Sequence, residues 1–434
     1  NNNNNNNNGE ITPPSSEMIR IVGKYSLDNL VDEVRSRQRN GGGATTTSSD
    51  SGSGSGLYGH GAQSALPSTQ SNMNITDIRK SILEQADVVC STLSGAGSQP
   101  LVEVVMRLGS RFQFDAVIID EAAQAIEPSA LIPLKFNPRT VVMVGDPAQL
   151  PATVFSKTAK AAGLGRSLFQ RMQQGGYPVI MLQTQYRMHP LIAEYPSTYF
   201  YSGLLKTDRV LIESGKRNRG YHNHSSNNFK PLVWHDVHFG RERTEGGGVP
   251  SIVNIEEARY VCDLYAALLA EYGSTTTATS TSTSNGTSGS GKGRGEGGGV
   301  QPPLRNVGII APYRAQRQLI ANMIKKRFPY SDVEVSTVDG FQGREKDIVI
   351  FSACRAPSAQ HHRHGHGQRG GYRGDTIGFL KDWRRLNVAM TRAKHALWIC
   401  GHRETLERDD TWGALLRHCE EKGVIVKAIQ PASS

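Results

Sequence analysis

The sequence has no run of about 18 consecutive apolar residues, and it opens on eight Asn instead of a basic stretch followed by an apolar one. The expectation is a chain with neither a membrane span nor a secretory leader. Cysteine is scarce: Cys90, Cys262, Cys354, Cys400 and Cys419 lie far apart, and three of them sit in or beside apolar runs. That pattern excludes a disulfide framework and reads as reduced core thiols of an intracellular protein. A phosphate-binding G-x-x-x-x-G-K-[ST] is also lacking. Gly286–Lys292 has its spacing, but Gly293 stands where Ser or Thr is required and no strand precedes it. His361, His362, His364 and His366 have neither carboxylates nor cysteines nearby, which favours a solvated loop over a metal site.

What is present is 37% hydrophobic content over 434 residues, enough to bury a sizeable core. The 46 glycines concentrate in low-complexity tracts at 1–16, 40–72, 273–303 and 356–374. The remainder suits two domains, 17–175 and 176–425, with short tails at 1–16 and 426–434. The net charge of +10 is compatible with a polyanionic partner but common enough to decide little.

Several short β-branched runs each end in a polar cluster: 116–119, 141–144, 179–182, 307–310, 333–335 and 348–351. Continuous apolar runs of this length predict strands buried on both faces of a parallel sheet, with helices between them, as in 254–269 and 311–327. The fold class is therefore α/β. In open α/β sheets ligands sit beyond the carboxyl ends of the strands, where these polar clusters fall.

Asp120-Glu121 closes one such run, an arrangement in which one carboxylate holds Mg²⁺ and the next polarises a water; an N-cap followed by a first-turn Glu is the plainer alternative. Gly145-Asp146-Pro147 closes the next run, and Gln149 beyond it has the chemistry to bond a γ-phosphate, although Gly-Asp-Pro alone is an ordinary turn.

Six segments in order, DEAAQAIEP (120–128), VGDPAQLPAT (144–153), QYRMHP (185–190), APYRAQ (311–316), TVDGFQGREKDIVI (337–350) and RRLNVAMTRAK (384–394), resemble motifs II to VI of superfamily 1B helicases. The resemblance is to the senataxin-like branch, close to the helicase of nonsense-mediated decay, and runs from about Met18 to about Arg417. It implies two RecA-like domains with parallel sheets, the first one incomplete, ATP with Mg²⁺ in the cleft between them, and a single strand of RNA or DNA across the top, with RNA–DNA hybrids among the candidate substrates. By position it implies Asp120 as Mg²⁺ ligand, Glu121 as the base that orients water and Gln149 as γ-phosphate sensor, all three in the first domain. Gly145, Asp146, Tyr186, Gly343 and Glu345 fall at nucleotide contacts, Tyr186 near the adenine and Glu345 near ribose and phosphate. Arg187 and Arg392 match two arginine fingers, for which a surface salt bridge is the plainer fate of an arbitrary Arg. Ser91 and Thr92, Pro312 and Tyr313, and Thr337 and Val338 match nucleic-acid contacts, with Tyr313 offering a ring for stacking. Arg369–Gly374 resembles a short RGG-type RNA-binding segment. The resemblance also implies a nuclear protein, with the cytoplasm as a second location.

The chain departs from that pattern in lacking the phosphate-binding loop, which predicts a start inside the first RecA-like domain and little turnover by the chain alone. Residues 40–72 replace the helical prong of senataxin-like enzymes with a tract too polar to pack as one.

Overall fold

The computed structural model describes residues 21–23, 75–109, 113–215, 227–245, 251–277, 306–358 and 377–430. The histidine run, the RGG-type segment and nearly all of the low-complexity tracts lie outside the described residues. The chain divides into two compact units, Asn1–Gly145 with Pro151–Gly176, and Asp146–Leu150 with Tyr177–Ser434. Gln149 thus groups with the second unit, whereas the motif order assigns it to the first.

In the first unit, β1 (Ile21–Gly23) pairs in parallel with β2 (Val88–Cys90), and β3 (Ala116–Ile119) with β4 (Thr140–Met143). Strand alternation sends Val117, Ile119 and Met143 into a small core with Ala122, Ala130 and Leu168. Ile118 and Val142, on the opposite face, are exposed.

The second unit opens with a short parallel pair, β5 (Thr184–Gln185) and β6 (Lys206–Thr207), followed by β7 (Leu232–Asp236) and an antiparallel hairpin of β8 (Glu242–Glu245) and β9 (Ser251–Asn254). Then come β10 (Val307–Ile310), β11 (Glu334–Ser336), β12 (Lys346–Ser352), β13 (Ala393–Gly401) and β14 (Ile425–Lys427). These five and β7 form one six-stranded sheet, order β11-β10-β12-β13-β7-β14, in which every pairing is parallel. Successive residues of β12 go to opposite cores: Ile348 and Ile350 to one, Val349 and Phe351 to the other. Leu232 and Trp234 against Val233 in β7, and Leu397 and Ile399 against Trp398 in β13, do the same. That two-sided burial is why these strands are uninterrupted apolar runs. Helices Ile255–Thr277 and Arg314–Arg327 cover one face through Val261, Leu268, Ile320 and Ile324. Helices Pro190–Phe200, Trp383–Met390 and Asp410–Glu421 cover the other through Ile192, Leu386, Trp412 and Leu415.

Two expectations are corrected. Residues 179–182 form no strand: Val179, Ile180 and Leu182 are exposed, and pairing begins only at Thr184. An apolar run becomes a strand only when an edge takes up its backbone groups, and no described strand lies beside this one. Cys90 is exposed, whereas the other four cysteines are buried free thiols.

Candidate nucleotide site and nucleic-acid face

In the first unit, Asp120 and Glu121 stand exposed just past β3. Asp120 Oδ1 accepts from the Glu121 N–H at 2.9 Å, and Glu121 Oε2 accepts from Gln124 Nε2 at 2.5 Å. Glu121 has φ of 51°, a left-handed conformation that costs a non-glycine residue about 1–3 kcal/mol and clusters at functional sites. The Ala122 N–H donates to the Val144 carbonyl at 2.8 Å, stitching the turn to the end of β4. Gly145 lies so close that a Cβ there would meet the Ala123 nitrogen at 2.7 Å, so this position requires glycine. Mg²⁺ is ordinarily held by one or two carboxylates plus phosphates and waters, and an exposed Asp at a strand end fits that mode.

The second unit gathers residues far apart in sequence because β12 and β13 run side by side with Lys346 opposite Ala393. Glu345 and Arg392, each one residue before its strand, are therefore neighbours at the amino ends, and the Lys346 N–H donates to the Arg392 carbonyl at 2.9 Å. Arg187 Nε donates to Glu345 Oε2 at 2.7 Å, Arg187 Nη1 to the Thr391 carbonyl at 3.1 Å, and Lys394 Nζ pairs with Glu345 Oε1 at 2.6 Å. Lys394 first, and Arg187 with it, hold the Glu345 carboxyl below its ordinary range against a partial desolvation that works the other way. Arg392 is only 3% exposed; its guanidinium donates to the Val388 carbonyl at 3.0 Å, the Thr391 hydroxyl at 2.9 Å and the Gln149 amide oxygen at 3.4 Å. Gly343 has φ of 73° with open space around it, and Tyr186 is 72% exposed.

Asp146–Leu150 is fixed by residues that the sequence reading missed. Asp146 Oδ2 accepts from Gln149 Nε2 at 2.9 Å and from the Tyr201 hydroxyl at 2.6 Å. Asn387 Nδ2 donates to that same hydroxyl at 2.8 Å and to the Ala148 carbonyl at 2.9 Å, and Arg384 Nε donates to the Pro147 carbonyl at 3.1 Å. Burial first, then the Asp146 carboxylate, pushes the Tyr201 phenol well above its ordinary value. Arg384, Asn387 and Lys394 lie inside the quoted RRLNVAMTRAK segment and were findable there. Tyr201 carries no local signal.

The candidate nucleic-acid residues divide. Ser91 and Thr92 are exposed, with Thr92 Oγ1 capping helix Leu93–Ala96 by accepting from the Gly95 N–H at 3.0 Å. Pro312 and Thr337 are half-buried, and Thr337 Oγ1 accepts from the Gly340 N–H at 3.2 Å. Two side chains are corrected to core. Tyr313 is 5% exposed and donates its hydroxyl to the Ile377 carbonyl at 3.0 Å, so its ring does not reach a base; Val338 packs beside Phe341 and Ile310. Pro312 lies past the carboxyl end of β10 and Thr337 past that of β11, while Glu345 and Arg392 occupy the amino ends of β12 and β13.

A parallel sheet buried on both faces, with helices between its strands, defines an α/β protein of the RecA-like kind. Two family models, each described as an AAA domain, match residues 57–157 and 164–404, the second alone spanning more than half of the chain. The probable helicase MAGATAMA 3 of Arabidopsis thaliana is 38% identical over 367 residues, 83% of this chain and 38% of the relative. Helicase sen1 of Schizosaccharomyces pombe is 37% identical over 78% of this chain and 17% of its own length; the regulator of nonsense transcripts 1 homolog of A. thaliana is 35% identical over 80% and 24%. The chain belongs to the superfamily 1 helicases, on their senataxin-like branch near the helicase of nonsense-mediated decay. It spans well under half the length of these relatives. Among the described residues no helix is long and apolar enough to cross a membrane.

Proposed function

We propose that the chain is the part of an ATP-dependent RNA/DNA helicase that runs from the segment Cys90–Leu93, which resembles motif Ic, to motif VI, and couples ATP hydrolysis to movement along a single strand, in the nucleus. One observation carries the reading: Gln149, Arg187, Glu345, Arg392 and Lys394, from four separate segments, converge in one unit around a single carboxylate and a pair of guanidinium groups. Such a concentration of cations is suited to a polyphosphate. The nucleotide supplies the phosphoryl group, and Asp120 would hold its Mg²⁺. Glu121 orients the attacking water, Gln149 reads the γ-phosphate, and Arg187 and Arg392 neutralise its developing charge, an effect worth about 10³–10⁵ in rate. Tyr186, with its exposed ring, flanks the base, and Gly343 and Glu345 serve ribose and phosphate.

Ser91, Thr92, Pro312 and Thr337 would meet the strand through hydroxyls and backbone, which contact phosphates without reading sequence. A second reading, a nucleic-acid-binding module without turnover, is favoured by the lack of G-x-x-x-x-G-K-[ST] in the 434 residues. Both readings require binding, so the first test is a titration of labelled single-stranded oligonucleotides of several sequences at two salt concentrations. The expected result is similar affinity across sequences, weakened by salt. Strong sequence discrimination, or no response to salt, would contradict it.

A further inference from the structure

Tyr313 was expected to stack on a base and is buried instead, but a second ring lies against it on the outside. Phe379 is 58% exposed, with its ring edge-on to Tyr313 at 5.8 Å between centroids. Large exposed rings are usually incidental. This one is held from both sides. Ile377 is buried and its carbonyl accepts the Tyr313 hydroxyl; Leu380 is buried and its carbonyl accepts from Trp412 Nε1 at 2.9 Å. Between them Gly378 has φ of 59°, and a Cβ there would meet the Tyr313 hydroxyl at 2.9 Å and Arg355 Nη1 at 3.1 Å. Glycine is thus required to turn the chain so that residues 377 and 380 point inward while 379 points outward. The turn lies against Tyr313, just past the carboxyl end of β10.

We infer that Phe379 is a base-stacking residue of the single-strand-binding face, standing on Tyr313 as its support; this rests on the nucleic-acid reading above. The surroundings select a base over a phosphate. Arg385 sits 5.4 Å from the Phe379 ring centroid, but its guanidinium is engaged by Asp382 at 3.1 Å and Asp339 at 3.5 Å. Arg355 is likewise taken by Glu242 at 2.7 Å. Among the described residues exposed Lys381 is the remaining cation of the turn, and the patch offers a planar apolar surface with a cation on the ring. Stacking on such a ring is sequence-tolerant because every base has a π-face, and the partner is an unpaired base, since paired bases are already stacked.

The test is fluorescence anisotropy with a single-stranded oligonucleotide, repeated over a range of salt, on the whole chain and on Phe379→Ala, Phe379→Trp and Arg385→Ala, each checked by thermal melting. Phe379→Ala should weaken binding about tenfold, within the range for loss of one stacked base. It should leave the slope of log affinity against log salt unchanged, because no phosphate contact is lost. Phe379→Trp should restore affinity, and quenching of a 2-aminopurine placed in the oligonucleotide should vanish in Phe379→Ala and return in Phe379→Trp. Unaltered affinity and quenching in a folded Phe379→Ala chain that otherwise binds would overturn the assignment and leave the nucleic-acid reading intact. Arg385→Ala, whose guanidinium is already engaged by Asp382 and Asp339, should also leave that slope unchanged, and a slope lowered by Phe379→Ala would overturn the assignment. If the unsubstituted chain binds no oligonucleotide, the reading beneath it fails.

Discussion

Glu257 is a fully buried carboxyl in helix Ile255–Thr277, and burial raises it from its ordinary value near 4.5 to about 8. Its Oε1 accepts from the Ser352 hydroxyl at 2.6 Å and the Cys354 N–H at 2.8 Å, which oppose the rise but do not cancel it. The folded chain therefore keeps a proton that the unfolded chain releases. Stability from this group is greatest below about pH 4.5 and falls as pH climbs towards 8, by up to about 1.4 kcal/mol per pH unit. Glu257→Gln should flatten that fall, which urea unfolding between pH 5 and pH 8 would reveal; an unchanged slope would show that Glu257 is ionised in the fold. Tyr201→Phe removes a hydroxyl shared by Asp146 and Asn387, each of which keeps another bond, so the loss should be about 1–2 kcal/mol by the same measurement. At this scale the motifs named Arg187, Glu345 and Arg392, which the fold brings to one place. It was silent on Tyr201, whose importance comes from contacts to residues 55 and 186 positions away. It misjudged Tyr313, because a ring at a strand end looks the same in sequence whether its hydroxyl bonds a carbonyl or faces water.

Strands announced themselves wherever a sheet buries both faces. The run at 307–310 coincides with β10, and the cores of the second unit alternate residue by residue along β12. The runs at 116–119 and 141–144 fall on β3 and β4 but leave Ile118 and Val142 exposed, against the expectation of burial on both faces. Residues 179–182 have the same composition and form no strand, since composition states what a segment would bury and says nothing of whether an edge is available. Gly308 is a counterpart inside a true strand: it gives β10 no side chain, and a Cβ there would meet Phe341 Cζ at 2.7 Å and Lys346 Cγ at 2.8 Å. Phe341 is fully buried and has nowhere to retreat. Gly308→Ala should therefore destabilise the second unit by about 1–3 kcal/mol in spite of the better strand propensity of alanine, read from chemical denaturation. A neutral or stabilising result would mean that the Phe341 ring shifts freely.

At the scale of the molecule, the chain divides into two compact units. The first carries the exposed carboxylates Asp120 and Glu121, and the second carries Gln149, Arg187 and Arg392. The five residues Asp146–Leu150 group with the second unit, so the proposed γ-phosphate sensor is held by the same Asn387 helix that precedes Arg392. The proposed task of these residues is phosphoryl transfer, in which positioning supplies most of the catalysis. The most direct measurement is steady-state ATP turnover with a single-stranded oligonucleotide, made on the 434-residue chain and on the chain fused at its amino terminus to a strand–G-x-x-x-x-G-K-[ST]–helix segment. Turnover below about 1 s⁻¹ is expected for the chain alone, under the ordinary enzyme range, and in the fusion a higher turnover that Glu121→Gln abolishes while nucleotide binding persists. Turnover above about 1 s⁻¹ by the chain alone, or a fusion whose turnover survives Glu121→Gln, would contradict it.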